Sequence, residues 1–200
     1  VAINHNMYRN VGYDSIKDFA PISLAVSAPQ IVVVHPSVPA KTFREFTALV
    51  KAQKGKINYG SSGPGSISHL SVELYKRMTN TDMLHVPFKG SALITIALLS
   101  GEVDVVFSDV AVVLPHVAAG KLRPLAVTSL KPTPLLPGVP SIADSGVPGF
   151  SMTSWWGVLA LLKTPRGLVN LLNREIRAVL DVRSGLANLN SVISGNFGYK

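Results

Sequence analysis

Between residues 56 and 128 the chain changes its hydrophobic period repeatedly, and most of the changes fall on a turn of Gly, Ser or Pro. Lys56–Tyr59 is a short strand-like run, after which Ile67, Leu70, Leu74 and Met78 recur at the spacing of one helix face. Met83–Val86 reads as a strand, Pro87–Gly90 as a turn and Ser91–Leu99 as a helix. Val103–Phe107 is the next strand, Asp109–Ala118 the next helix, stopped at Gly120, and Leu125–Thr128 a further strand. Strands separated by helices are not hairpin partners. Each helix carries the chain back across the sheet, so successive strands run parallel. The expectation is an α/β fold with a largely parallel sheet.

The flanks are less regular. Ile22–Val26 and Ile31–His35 are two short β-branched runs separated by Ala28-Pro29. Thr42 is placed to cap a helix whose apolar face is Phe43, Phe46, Leu49 and Val50, with Gly55 at its end. Lys131–Gly149 holds five prolines and three glycines and reads as a crossover loop with one short helix at Ser141–Ser145. Phe150–Leu162 is an extended strand in which Trp155-Trp156 is expected to pack in the core. Thr164 as N-cap and Pro165 at the first helical position open an amphipathic helix through Leu168, Leu172, Ile176 and Val179. No structure is assigned to the tail, Ser184–Lys200.

Composition narrows the function. An apolar fraction of 47% with 15% charged residues describes a compact globular chain. No stretch approaches the roughly 18 apolar residues of a membrane span, so no membrane insertion is expected. There is no Cys, hence no thiolate metal site and no Cys nucleophile. The five histidines (His5, His35, His69, His85, His116) have no metal-ligand spacing. The net charge of +8 is spread over single Lys and Arg residues without a basic run, which argues against nucleic acid; a bias toward anionic small molecules explains the charge as well. No cofactor motif is present.

Three strand-to-helix junctions fall where ligands of open α/β sheets bind. At Ser61-Ser62-Gly63-Pro64-Gly65-Ser66 a strand turns into a helix, a geometry that leaves N–H groups for a carboxylate or phosphate at the positive end of the helix dipole. Gly63 and Gly65 permit close approach, and Ser61, Ser62 and Ser66 add hydroxyl donors. An ordinary loop capped by Ser66 explains the same residues. At the next junction Lys89 and Gly90 follow Phe88: either a cation and a wall for an anion, or a solvated Lys beside a packed ring. Asp109 at the third is placed to accept from a ligand hydroxyl or amine, or to cap a helix; Asp104 is expected to face solvent. A Ser66/His69 pair offers weak grounds for a serine-dependent hydrolase, because no carboxylate is positioned to orient the imidazole.

Taken in order, a set of segments resembles the substrate-binding receptors of tripartite tricarboxylate transporters, the Bug-type receptors. These are Tyr13-Asp14 through Asp18-Phe19-Ala20-Pro21, Asn58-Tyr59-Gly60-Ser61-Ser62-Gly63 with His69-Leu70, and His85-Val86-Pro87-Phe88-Lys89-Gly90-Ser91-Ala92. Gly101-Glu102-Val103-Asp104, Gly120 through Thr128, Pro137-Gly138-Val139-Pro140-Ser141 and Trp155-Trp156-Gly157-Val158-Leu159-Ala160 continue it. The resemblance implies a periplasmic-binding-protein-like α/β fold, with two lobes of mostly parallel sheet around a ligand cleft and the first lobe incomplete. It implies residues 1–30 in the first lobe and crossover, 31–130 in the second lobe, and 131–200 returning to pack a helix on the first.

It further implies an exported, periplasmic receptor that binds a small organic acid (a dicarboxylate, tricarboxylate, acidic amino acid or aromatic acid), passes it to membrane permease subunits and catalyses nothing. The ligand residues carried over are Ser61, Ser62, Gly63, Gly65 and Ser66, with Lys89, Gly90 and Asp109 lining the same cleft. A role as the input protein of a sensor fits the same residues. The chain departs from the pattern in three places. The family's first strand and its Pro-Ala-Gly-Gly-like loop would precede Val1, the stretch Ala160-Leu161-Leu162-Lys163-Thr164-Pro165 differs, and the end drifts. Val1 opens without an initiator Met or a leader, as in a chain cut from something longer.

Overall fold

The computed structural model describes residues 3–134 and 136–186. In chain order its elements are α1 (Asn4–Met7), β1 (Phe19–Val34), α2 (Phe43–Ala52), β2 (Asn58–Ser61), α3 (Ile67–Thr79), β3 (Leu84–Pro87), α4 (Ser91–Ser100), β4 (Val105–Asp109), α5 (Val110–Ala118), β5 (Arg123–Val127), β6 (Thr153–Leu161) and α6 (Arg166–Leu186). The chain forms two compact units. One takes the residues through Ala28 together with those from Trp155 on, and the other runs Pro29–Ser154.

The Pro29–Ser154 unit is built on the strand order β3-β2-β4-β1-β5. β2 is parallel to β3 and to β4, with Tyr59 beside His85 and Val105. β1 is antiparallel to both β4 and β5. Thus β3, β2, β4 and β5 share one direction, and only β1 runs against them. β1 enters the sheet without a preceding helical crossover, so nothing in the chain requires it to follow the others.

Helices cover both faces of this sheet. Val32 and Val34 pack with Phe43, Phe46 and Val50 of α2 and Val72 and Tyr75 of α3. Ile31 and Val33, on the opposite face by the period of two, pack with Ile94 and Leu98 of α4 and Val113 of α5. Each such side chain, fully buried, contributes about 1.5–3 kcal/mol. α2 starts as expected, with Thr42 Oγ1 accepting the Glu45 N–H at 3.2 Å. It ends at Ala52 with Gln53 as C-cap, and Gly55 follows in the left-handed region.

The expected break at Ala28-Pro29 is not a break. β1 runs through it, because Pro29 lies just before the ladders with β4 and β5 begin, at Gln30 and Ile31, where no N–H is required. Gln30 is buried at this end of the sheet. Its Nε2 donates to Phe107 O at 3.1 Å, its Oε1 accepts from Ser71 Oγ at 2.5 Å, and its N–H donates to Thr128 Oγ1 at 2.7 Å. Residues 131–154 lie in this unit, with Leu136, Ile142, Val147 and Phe150 in its cores. Ser141–Ser145 is a series of turns and not a helix. Ser141 stays extended in a parallel bridge to Val127, and the Ser145 N–H bonds to Ser141 O and Ile142 O. Asp104 does not face solvent idly: its Oδ2 accepts the Asn58 N–H at 2.7 Å and ties β2 to the start of β4.

In the other unit, β6 pairs with β1, Leu162 donates its N–H to Asp18 O at 2.9 Å, and Asn173 Nδ2 of α6 donates to Ile22 O. α6 begins at Arg166, later than the Thr164 cap implies. Thr164 is held in a turn by its N–H to Leu161 O, and the Pro165 carbonyl accepts from Leu168 and Val169. Trp155 and Trp156 are 54% and 48% exposed, not core. Neighbouring strand residues point to opposite faces, so with Val158 and Leu159 also exposed, both faces of β6 are open among the described residues. The tail from 187 lies outside the described residues.

Candidate functional site

β2, β3 and β4 run parallel, so the junctions that follow them open at one edge of the sheet. α3, α4 and α5 each begin there and direct their positive ends to that edge. Ser66 caps α3, its Oγ accepting the His69 N–H at 3.3 Å. No side chain caps α4, whose N-cap position is Gly90, or α5, whose N-cap position is Asp109. Gly90 has φ +110, a conformation that glycine adopts readily and L side chains rarely do.

The 61–66 turn is satisfied from within, against the expectation that its N–H groups stay unpaired. The Ser62 N–H donates to Ser68 Oγ at 3.1 Å, Gly63 to Ser61 Oγ at 3.1 Å, Gly65 to His69 Nδ1 at 3.3 Å and Ser66 to Gly63 O at 3.2 Å. The hydroxyls are engaged too. Ser61 Oγ lies 2.5 Å from His85 Nε2, Ser62 Oγ 3.2 Å from Ser68 Oγ, and Ser66 Oγ donates to Gly63 O at 2.6 Å. Ser61 is 0% exposed. Among the described residues no acceptor takes the N–H of Ile67 or Ser68, in the first turn of α3, as is general at helix starts, and Ser68 is itself 4% exposed. Ser62 is exposed, and a Cβ on Gly63 would meet nothing within 4 Å.

Beneath the turn sits a stack of rings. Tyr59 on β2 lies 4.8 Å from His85 on β3 at 15°, and His85 lies 4.4 Å from His69 on α3. Glu73, one helical turn beyond His69, accepts from Tyr59 OH at 2.7 Å and from Lys76 Nζ at 2.9 Å; Lys76 also pairs with Asp82 at 3.2 Å. Burial, with the Glu73 acceptor and its charge, pushes the Tyr59 phenol far up. Burial also raises Glu73, but the bonds from Lys76 and Tyr59 and the charge of Lys76 outweigh it and hold its carboxyl below the usual value. Burial, then the charge that His69 would carry, lowers His85, with Glu73 opposing. His85 is therefore neutral near pH 7.

The sequence-derived residues are gathered on this one edge: Ser61, Ser62, Gly63, Gly65 and Ser66 after β2, Lys89 and Gly90 after β3, and Asp109 at the end of β4. Lys89 is exposed and has no ion-pair partner among the described residues. Asp109 holds the N-cap position of α5 without capping it; Ser154 Oγ donates to its Oδ1 at 3.2 Å. Ser66 bonds the His69 backbone and not its ring, so the Ser66/His69 pair does not form. The pair that does form, Ser61–His85, has a fully buried hydroxyl that no substrate reaches. Ser68 and His85 were missed as organisers of the turn. The i, i+2 relation of Ser66 and Ser68 after a Gly-rich turn hinted at the first, and the register that brings His85 to Ser61 was not local.

A family profile, Tripartite tricarboxylate transporter family receptor, matches residues 1–190. The chain is 37% identical over 203 residues to the UPF0065 protein in the tcbD-tcbE intergenic region of Pseudomonas sp. (strain P51), across 98% of this chain and 59% of that protein. Its fold is similar to that of R. palustris Rpa4515 with adipate, at TM-score 0.77 and 29% identity over 93% of this chain and 73% of that one. It is also similar to MatC (Rpa3494) from Rhodopseudomonas palustris with bound malate, at TM-score 0.81 and 28% identity over 95% of this chain and 65% of that one. The chain spans half to three-fifths of the length of most of the curated relatives it matches.

Proposed function

The chain belongs to the tripartite tricarboxylate transporter receptor family, and from that premise we propose that it captures a small organic acid by one carboxylate at the β2–α3 turn. The family and the structures that resemble the chain are solute-binding receptors and not enzymes. The observation that carries the reading is the pair of first-turn amides, Ile67 and Ser68, left without a protein acceptor on the edge where two further helix starts lie uncapped. A carboxylate there accepts two charge-assisted N–H bonds, with the exposed Ser62 hydroxyl as a third donor. Ser61, Gly63, Gly65 and Ser66 shape the turn that presents those groups. Lys89 supplies a cation for a second carboxylate, Gly90 opens α4 beside it, and Asp109 accepts from a hydroxyl or amine on the solute.

Adipate and malate, held by the two structural relatives, fit this chemistry, as do the other acid classes named above. The solute would be delivered to membrane permease subunits from the periplasm. Among the described residues no helix is long and apolar enough to cross a membrane. The test is isothermal titration of the protein with malate, adipate and an aromatic acid, each against its uncharged amide. Saturable binding of an acid, with no binding of its amide, is expected. Failure of every acid to bind at low salt removes the reading.

A further inference from the structure

The structure assigns Ser154 as the residue that positions Asp109 for a hydroxyl or ammonium group on the solute, so that the captured acid carries such a donor beside its carboxylate. This rests on the carboxylate reading given above and narrows it. Asp109 has the backbone of an N-cap, φ -64 and ψ 134, and a side chain among the best cap formers, yet it makes no bond to the first turn of α5. Thr42 and Ser66, in the same position before α2 and α3, both cap. The difference is Ser154. It is 4% exposed, and the single proton of its hydroxyl goes to Asp109 Oδ1 at 3.2 Å.

Ser154 is itself held by the frame of the sheet. Two residues earlier the Met152 N–H donates to Thr128 O at 2.9 Å. Thr128 brackets Gln30, accepting its N–H at 2.7 Å and donating its own N–H to Gln30 O at 2.9 Å. Gln30 is in turn the register partner of Asp109 across β1 and β4. The hydroxyl therefore meets the carboxylate at a fixed place, where β4 ends. Among the described residues no donor reaches Asp109 Oδ2, and no buried side-chain oxygen or nitrogen lacks a partner, so Oδ2 is open to solvent. A carboxylate oxygen only accepts. With Oδ1 taken, Oδ2 attracts an O–H or N–H and repels a second carboxylate. A plain diacid offers it nothing but C–H and negative charge, whereas a hydroxy or amino acid offers a donor. Ser154 acts through Asp109 and is a positioning residue.

The test titrates the protein calorimetrically with succinate, malate and aspartate, four-carbon diacids that differ only in bearing a hydrogen, a hydroxyl or an ammonium group beside one carboxylate. Malate or aspartate should bind about tenfold or more tightly than succinate, the low end for a hydrogen bond to a charged group, and the tighter of the two names the donor. In Ser154→Ala that preference should shrink to less than about threefold, while affinity for succinate changes by less than about twofold. A merely structural role for Ser154 would weaken all three acids alike. Ser154→Cys, close in volume but a weak donor, should reproduce the effect, and it decides the matter if the Ala variant does not fold. A preference kept in full by the folded variants overturns the proposal, as does a loss shared equally by the three acids. If no acid binds the wild type, the carboxylate reading falls and takes this one with it. If the three bind alike, that reading stands and this proposal alone fails.

Discussion

Ser61 and Ser62 are adjacent hydroxyls of one turn, and the structure separates what each does. Ser61→Ala removes an oxygen that lies 2.5 Å from His85 Nε2 and accepts the Gly63 N–H at 3.1 Å. Both partners are half-buried, so water replaces the lost bonds only in part. A stranded buried group costs about 1–3 kcal/mol, and partial solvation places the pair together near 2 kcal/mol. For a unit of this size that lowers the melting temperature by about 4–8 °C. Ser62→Ala removes an exposed hydroxyl whose contact is Ser68 Oγ at 3.2 Å, so its stability should change by less than about 0.5 kcal/mol. The assay is thermal unfolding by far-ultraviolet circular dichroism without ligand, since both Trp residues lie outside the Pro29–Ser154 unit and would report on the other one. Carboxylate titration then completes the contrast, because Ser62→Ala should weaken binding while leaving the fold intact. If Ser61→Ala melts with the wild type, or Ser62→Ala melts earlier than Ser61→Ala, the internal bonding of the turn is wrong as described.

Gly60→Ala places a Cβ 3.0 Å from Ile94 Cγ2 and 3.3 Å from Val106 Cγ2, and overpacking of this kind should cost about 1–3 kcal/mol in urea unfolding. Stability against pH should fall in two limbs. His85, lowered from its ordinary 6.5, contributes stability present above that value and lost as pH falls toward its folded value; His85→Gln should flatten that limb in melting curves. Glu73, lowered from 4.5, contributes stability present above that value and lost below it, and Glu73→Gln should flatten that second limb while deepening the first, because its charge no longer opposes the lowering of His85. Lys89→Gln should weaken dicarboxylate binding by about two- to fivefold at low salt and scarcely at about 0.5 M, where an exposed charge is screened.

The order of strands and helices was legible from residue 42 to 128 because its signals are local: a Thr or Ser cap, an apolar face, a Gly where the chain turns. Thr42 and Ser66 both cap as their positions imply. The signals that misled were local as well. Ala28-Pro29 reads as punctuation until the ladders of β4 and β5 are seen to start just after it. Thr164-Pro165 reads as a helix start one residue early, since α6 begins at Arg166. Trp155-Trp156 reads as core by hydrophobicity, which does not say what packs against a strand. At the site, the edge and its residues were legible, while the bonding of the turn was not. Ser61 is engaged by a ring 24 residues away, brought there by the register of β2 and β3.

Gln30 carries a consequence for the order in which this unit assembles. Its side-chain and backbone bonds reach partners 41, 77 and 98 residues along the chain, on α3, β4 and just past β5. Loops of such length are closed late, after local helices and adjacent strands have formed. The end of β1 thus settles only when residues at both extremes of the unit are in hand. During synthesis the edge that carries the turn becomes whole only after Thr128 has emerged. A nascent chain that ends between 109 and 128 holds every residue from 61 to 109, with the Ser71 and Phe107 partners of Gln30, but lacks the Thr128 partner.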